Sequence, residues 1–218
     1  MSDLKLNLPA LLGARICHDL VSPVGAISNG IELLQLSGNL SGPEAGLIGE
    51  SADCANARLR FFRLAFGQSG ADQWISGGEL KDIVAKNYAD GGFKVRVAAD
   101  SGMKRSRAQV MLLLLMCCET HVMRRGEVVI NGDGQLTCRQ QTALAPHSLM
   151  TNLLENRDWP QDLAAADVHF PLAREALKTN RLRLRGDQQG QVLTLLTEPA
   201  LPELQINREP SRPRRQGT

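Results

Sequence analysis

The sequence predicts an α+β protein: an N-terminal helical hairpin that dimerises into a four-helix bundle, followed by a C-terminal α/β sandwich. Three observations carry this expectation. Two long stretches place apolar residues at helical spacing and are parted by one compact break, Ser37-Gly38-Asn39-Leu40-Ser41-Gly42-Pro43. Beyond Gly67-Gln68-Ser69-Gly70-Ala71 the pattern changes to helix, strand, helix, hairpin, helix, hairpin. The composition is 43% hydrophobic but only 4% aromatic, so the core is aliphatic, as helix packing favours. The boundaries that follow are 1–69 for the hairpin, 70–201 for the sandwich and 202–218 for a basic tail.

The first helix is expected from about Leu8 to Leu36, with Pro9 in its first turn. Leu20, Val24, Ile27, Ile31 and Leu34 step by four, three, four and three, which is the spacing of one packed face. The second helix runs from about Pro43 to Phe66 and repeats the pattern at Leu47, Ile48, Ala52, Ala55, Leu59, Phe62 and Ala65. Two helices make a poor core, and an isolated hairpin leaves an apolar stripe in water. A second copy would bury both stripes in a four-helix bundle, which is the physical case for a homodimer.

The remaining elements follow in order. Ser76 to Asp90 reads as a short amphipathic helix through Leu80, Ile83, Val84 and Tyr88. Phe93 to Val97 alternates as a strand. Ser106 to about Met123 is a strongly apolar helix whose longest apolar run, Val110 to Cys118, is far too short to span a membrane. Glu127 to Ile130 and Leu136 to Arg139 flank the turn residues Asn131-Gly132-Asp133-Gly134 and make a hairpin. Pro171 to Asn180 is a helix, and Arg181 to Arg185 pairs with Gln191 to Thr197. The sheet is expected to be mostly antiparallel. The tail ends in four arginines among prolines and reads as disordered.

A net charge of +2 gives no reason to expect nucleic acid or a membrane as partner. Five cysteines, with no metal-ligand spacing and no recognisable signal peptide before them, point to a reducing cytoplasm. No metal and no cofactor of the protein's own is expected.

The chemistry is expected on the first helix. At about 100° per residue, Arg15, His18, Ser22, Gly25 and Asn29 lie within about 60° of His18, with Asp19 and Ala26 at the border. Asp19 can reach toward one ring nitrogen. Pro23 removes the bond to the Asp19 carbonyl and bends the rod a turn after His18. Gly25 leaves out a side chain beside an exposed imidazole, so another protein's backbone can come close.

His18-Asp19-Leu20, Ser22-Pro23, Ala26-Ile27 and Glu32-Leu33-Leu34 together resemble the phospho-acceptor box of histidine kinases. Residues 18–30 resemble more closely the ChpT-type histidine phosphotransferases of alphaproteobacterial cell-cycle phosphorelays. Asp in place of the kinase Glu, and Ser before Pro, agree with that group. The resemblance implies a dimer and a second domain like a degenerate histidine-kinase ATP-binding domain. A working domain of that kind needs an Asn on its long helix, an Asp-x-Gly-x-Gly turn and a glycine-rich lid. Ala108 to Arg125 has no Asn or Asp, and Gln135 to Arg185 has no glycine. ATP-dependent kinase activity is therefore not expected.

The function expected is that of a phosphorelay intermediate. His18 takes a phosphoryl group from a receiver-domain aspartate and passes it to a response-regulator aspartate. Asp19 orients the ring, and Arg15, Ser22, Gly25, Ala26 and Asn29 meet the receiver. Mg²⁺ is expected on the partner receiver domain. The resemblance implies a CckA-like hybrid kinase as donor and CtrA-like and CpdR-like regulators as acceptors. Two rival readings are a divergent ATP-dependent histidine kinase and a non-catalytic dimeric adaptor in which His18 is inert. Glu119 and His121 read as surface residues, and His147 and His169 receive no role.

Overall fold

The computed structural model describes residues 6–37, 43–67, 72–89, 92–122, 126–142, 144, 145 and 147–200. The expected turn at 38–42, the interdomain break at 68–71 and the tail from 201 lie outside these residues, as do Asp90 and Met123.

Helices α1 (Leu8–Ser37) and α2 (Pro43–Ala65) form the hairpin. α1 runs unbroken through Pro23. The seam between the two helices is not the single stripe read from the sequence. Pro23 and Gly30 are buried and Ile27 and Leu34 half-buried, while Val24 and Ile31 stay 52% and 44% exposed. One flank of α1 meets α2, and the other, with Val21, Val24 and Ile31, is left open because one hairpin has only one partner helix to offer. Gly30 sets the approach: a Cβ there would lie 2.6 Å from Ile48 Cγ1.

Beyond the hairpin, α3 (Gly77–Asn87) is capped by Ser76, whose hydroxyl accepts from the Glu79 N–H at 3.1 Å. β2 (Lys94–Ala98), β4 (Glu127–Asn131), β5 (Gln135–Arg139), β7 (Val192–Pro199) and β6 (Leu182–Gln189) make one sheet in the order β2-β4-β5-β7-β6. β2 pairs parallel with β4 and the remaining pairs are antiparallel. Two residues per strand, β1 (Trp74–Ile75) and β3 (Met103–Lys104), form a separate antiparallel pair. Gly134, at φ +92°, closes the β4–β5 turn in a conformation that side chains disfavour.

The parallel pair needs a crossover, and α4 (Arg105–His121) supplies it. α4 is apolar on all sides and buried continuously from Val110 to Cys118, as expected of a helix covered all round. α6 (His169–Thr179), α5 (Ser148–Leu154) and a 3-10 turn, Ala165–Asp167, complete the layer. Alternate residues of the strands, among them Val128, Ile130, Leu136, Cys138, Leu193 and Leu195, point into one core with α4. Phe61, Phe62, Leu64 and Ala65 of α2 belong to the same core.

By length and a mean hydropathy of 1.2 over 18 residues, α1 alone among the described helices could cross a membrane. Here it lies along α2 and touches the 3-10 turn, with Arg15, His18 and Asp19 in its middle.

His121 is buried rather than exposed, and Glu119 accepts from the Tyr88 hydroxyl at 3.0 Å, so neither is the surface residue read from sequence. α4 is covered on faces that its own pattern does not reveal. His169 is 1% exposed, and burial, reinforced by the Arg15 charge, pushes its pKa down to about 3. Burial also lowers His121, with a further contribution from His147, and lowers His147 itself. The unfolded chain takes protons at these sites near ~6.5 while the fold resists. Stability is therefore complete above that pH and declines as acid is added, down to about 3 for His169. Urea midpoints measured at pH 7.5, 6 and 5 are expected to fall at each step; equal midpoints would contradict the burial of these rings.

Candidate functional site

The site is built on the middle of α1. His18 projects outward with its side chain 86% exposed, while Asp19 beside it is only 10% exposed. Asp19 Oδ1 lies 3.1 Å from His18 Nδ1. Arg15, one helical turn earlier, donates from Nε to Asp19 Oδ2 at 2.7 Å. The spacing of four residues places Arg15 and Asp19 on one face. Arg15 also donates from Nη1 to the backbone carbonyl of Ala166 in the 3-10 turn.

Burial opposes the charge on Asp19. The hydrogen bonds from His18 and Arg15, and the positive charges of Arg15 and of Arg58 on α2, outweigh it and hold the carboxyl below the usual carboxylate range. Asp19 is thus ionised at neutral pH and can only accept. The ring nitrogen facing it must carry the proton. That leaves Nε2, the other ring nitrogen, with its lone pair offered to solvent. The arrangement is a solvent-facing imidazole oriented from behind by a carboxylate.

Ser22 and Asn29 are exposed along the same strip as His18. Gly25 and Ala26 are half-buried, and a Cβ placed on Gly25 would meet nothing within 4 Å. Arg15 differs from the other expected docking residues. It is 12% exposed and both its bonds are made inside the protein. Sequence reasoning missed Arg58 and Ala166. The spacing of Arg15 and Asp19 was a readable signal for their pairing, whereas nothing in the sequence marks a carbonyl 151 residues away.

Two clefts of about 230 and 320 Å³ flank Arg15, where the hairpin meets the α/β layer. A cleft of about 1270 Å³ lies elsewhere, between the end of α2, the start of α4 and α6, and holds none of the candidate residues. Among the described residues no cluster of three His, Cys, Asp or Glu side chains is placed to hold a metal ion.

The family model described as "Histidine phosphotransferase C-terminal domain" matches residues 77–191, more than half of the chain. The chain belongs to the histidine phosphotransferase family. The protein phosphotransferase ChpT of Brucella abortus (strain 2308) is 34% identical over 134 residues, which cover 61% of this chain and 64% of that protein. The chain thus matches somewhat less than two thirds of that relative's length. A bacterial phosphotransferase of known structure superposes with a TM-score of 0.71 at 24% identity, over 91% of this chain and 98% of the other, which shows a shared fold. The histidine kinase AdeS of Acinetobacter baumannii aligns over 82% of this chain with a TM-score of 0.37, too low to speak for common architecture.

Proposed function

We propose that this protein is a phosphorelay histidine phosphotransferase that works without ATP. The observation that carries the reading is the imidazole of His18, 86% exposed and bonded through Nδ1 to an ionised carboxylate. Nε2 attacks the phosphorus of a receiver's aspartyl phosphate in line. The N–P bond forms, the acyl phosphate P–O bond breaks, and its electron pair returns to the receiver carboxylate. Transfer to a response-regulator aspartate reverses these events. Phosphoryl transfer asks mainly for positioning and positive charge. The receiver supplies Mg²⁺ and a cation, so the protein brings only the nucleophile and its orientation. Asp19 stabilises the positive charge that develops on the ring.

Ser22, Gly25, Ala26 and Asn29 form the strip against which the receiver docks. The donor is the receiver domain of a hybrid kinase of the CckA kind, and the acceptors are CtrA-like and CpdR-like regulators. The relative's printed name, protein phosphotransferase, supports the reaction class. Five free cysteines suit a cytoplasmic protein.

The reading is tested by mixing the full chain with a purified phosphorylated receiver. Acid-labile, base-stable label on the wild type, absent from His18→Ala, is expected. Label that persists in His18→Ala, or none on the wild type, would refute it.

The dimer is part of the same reading. Val21, Val24 and Ile31 on α1 and Leu47 and Leu59 on α2 are exposed in the single chain, an apolar surface that a second hairpin would cover in a four-helix bundle. The double substitution Val24→Lys with Ile31→Lys is expected to halve the mass measured by sedimentation equilibrium. A wild type that sediments as a monomer would refute the bundle.

A further inference from the structure

We infer that Arg15 is a positioning residue for phosphoryl transfer, locked in place by the backbone carbonyl of Ala166 in the second half of the chain. The inference rests on the reading of His18 as the phosphoryl acceptor and adds a control point to it.

Adjacent residues on a helix do not face each other. Asp19 reaches the His18 ring only if its carboxylate turns back along the helix. Each carboxylate oxygen has its own partner: Oδ1 meets Nδ1 of His18 at 3.1 Å, and Oδ2 accepts from Arg15 Nε at 2.7 Å. Arg15 therefore holds the far edge of the carboxylate, and the near edge holds the ring. Arg15 is itself fixed at two points, because Nη1 donates to the Ala166 carbonyl while Nε donates to Asp19. A planar guanidinium with fixed donor directions can bridge two acceptors in this way, and a lysine ammonium on a flexible stem cannot hold both in the same geometry. The side chains of Arg15 and Asp19 are 12% and 10% exposed, so water competes little for the bond between them.

The chain of contacts thus runs from the 3-10 turn, Ala165–Asp167, through Arg15 and Asp19 to the exposed ring of His18. It gives the second half of the chain a direct hold on which ring nitrogen is protonated. A shift of the turn loosens the carboxylate and lets the ring adopt either tautomer. The nucleophilic Nε2 is then present for only part of the time.

Two readouts test this on the full chain. Long-range proton–nitrogen NMR correlations of His18 at pH 8 report the tautomer. Labelling by phosphoramidate, a small donor that needs no docked receiver, reports the reactivity of Nε2: the donor's N–P bond breaks, ammonia leaves and the new N–P bond forms. The wild type is expected to show the Nδ1–H tautomer. Arg15→Ala is expected to show a mixture of tautomers and about tenfold slower labelling, with Arg15→Lys between the two. Ala165→Gly combined with Ala166→Gly loosens the turn and leaves every side chain of the site in place. It is expected to shift the tautomer in the same direction, and it decides the matter should Arg15→Ala fail to fold. An unchanged Nδ1–H tautomer in these variants overturns the inference, even if labelling slows, because the ring is then not what Arg15 controls. Failure of the wild type to label would count against His18 as acceptor, while the tautomer measurement would still decide the role of Arg15.

Discussion

Asp19→Ala is expected to slow phosphoryl acceptance by His18 about a hundredfold, with the imidazole still present and exposed. Two losses combine. The Nδ1 proton loses its acceptor at 3.1 Å, so the ring no longer favours the tautomer with a free Nε2. The negative charge that, in the proposed reaction, would balance the ring as it gains phosphoryl also disappears. Asp19→Asn separates the two, because an amide oxygen can accept from Nδ1 but brings no charge. Its rate is expected to fall between those of wild type and Asp19→Ala. Quenched-flow transfer from a phosphorylated receiver measures all three, and equal rates in wild type and Asp19→Ala would remove Asp19 from the chemistry. The carboxylate also offsets the buried charge of Arg15, so the comparison belongs at a temperature where circular dichroism shows both variants folded.

The largest expected effect on stability comes from Phe61→Ala, about 3–5 kcal/mol in urea unfolding. Phe61 is 1% exposed, with its ring edge-on to Tyr88 at 5.8 Å and to Phe62 at 6.3 Å. It lies where the last turns of α2 enter the core of the α/β layer, and truncation leaves a cavity between elements that cannot easily close. Lys178→Ala on the solvent side of α6, whose ammonium meets an exposed Glu175, is the control. It is expected to change stability by less than about 0.5 kcal/mol. A Phe61→Ala variant as stable as the control would show that the hairpin end is not packed as described.

The long elements were readable because their apolar residues recur over many turns. The two hairpin helices, α4 and the strands flanking Asn131-Gly132-Asp133-Gly134 fall close to their expected positions. β6, by contrast, runs on to Gln189, so the residues from Gly186 that read as a turn are paired with β7 and only the end of that stretch, at Gly190, turns. β1 and β3 escaped notice because two residues are too few for any period to appear. α5, seven residues without a side-chain cap, lies in a stretch whose pattern signals nothing. Of the candidate site, the exposed place of His18 was legible from helical phase, whereas the bond from Asp19 to its ring depends on a rotamer that the pitch does not give. The true neighbours of Arg15 were not, since one of its two bonds goes to a peptide carbonyl that any residue type provides. His121 and Glu119 were misplaced for a related reason: helical phase gives their directions but not what stands opposite them.

The merging of Phe61, Phe62, Leu64 and Ala65 with the residues beneath the sheet has a thermal consequence. Neither half of the chain can shed its interior without opening that of the other. Scanning calorimetry is therefore expected to trace one endotherm rather than a sequence of two, and warming should silence the imidazole and dissolve the sheet at the same temperature.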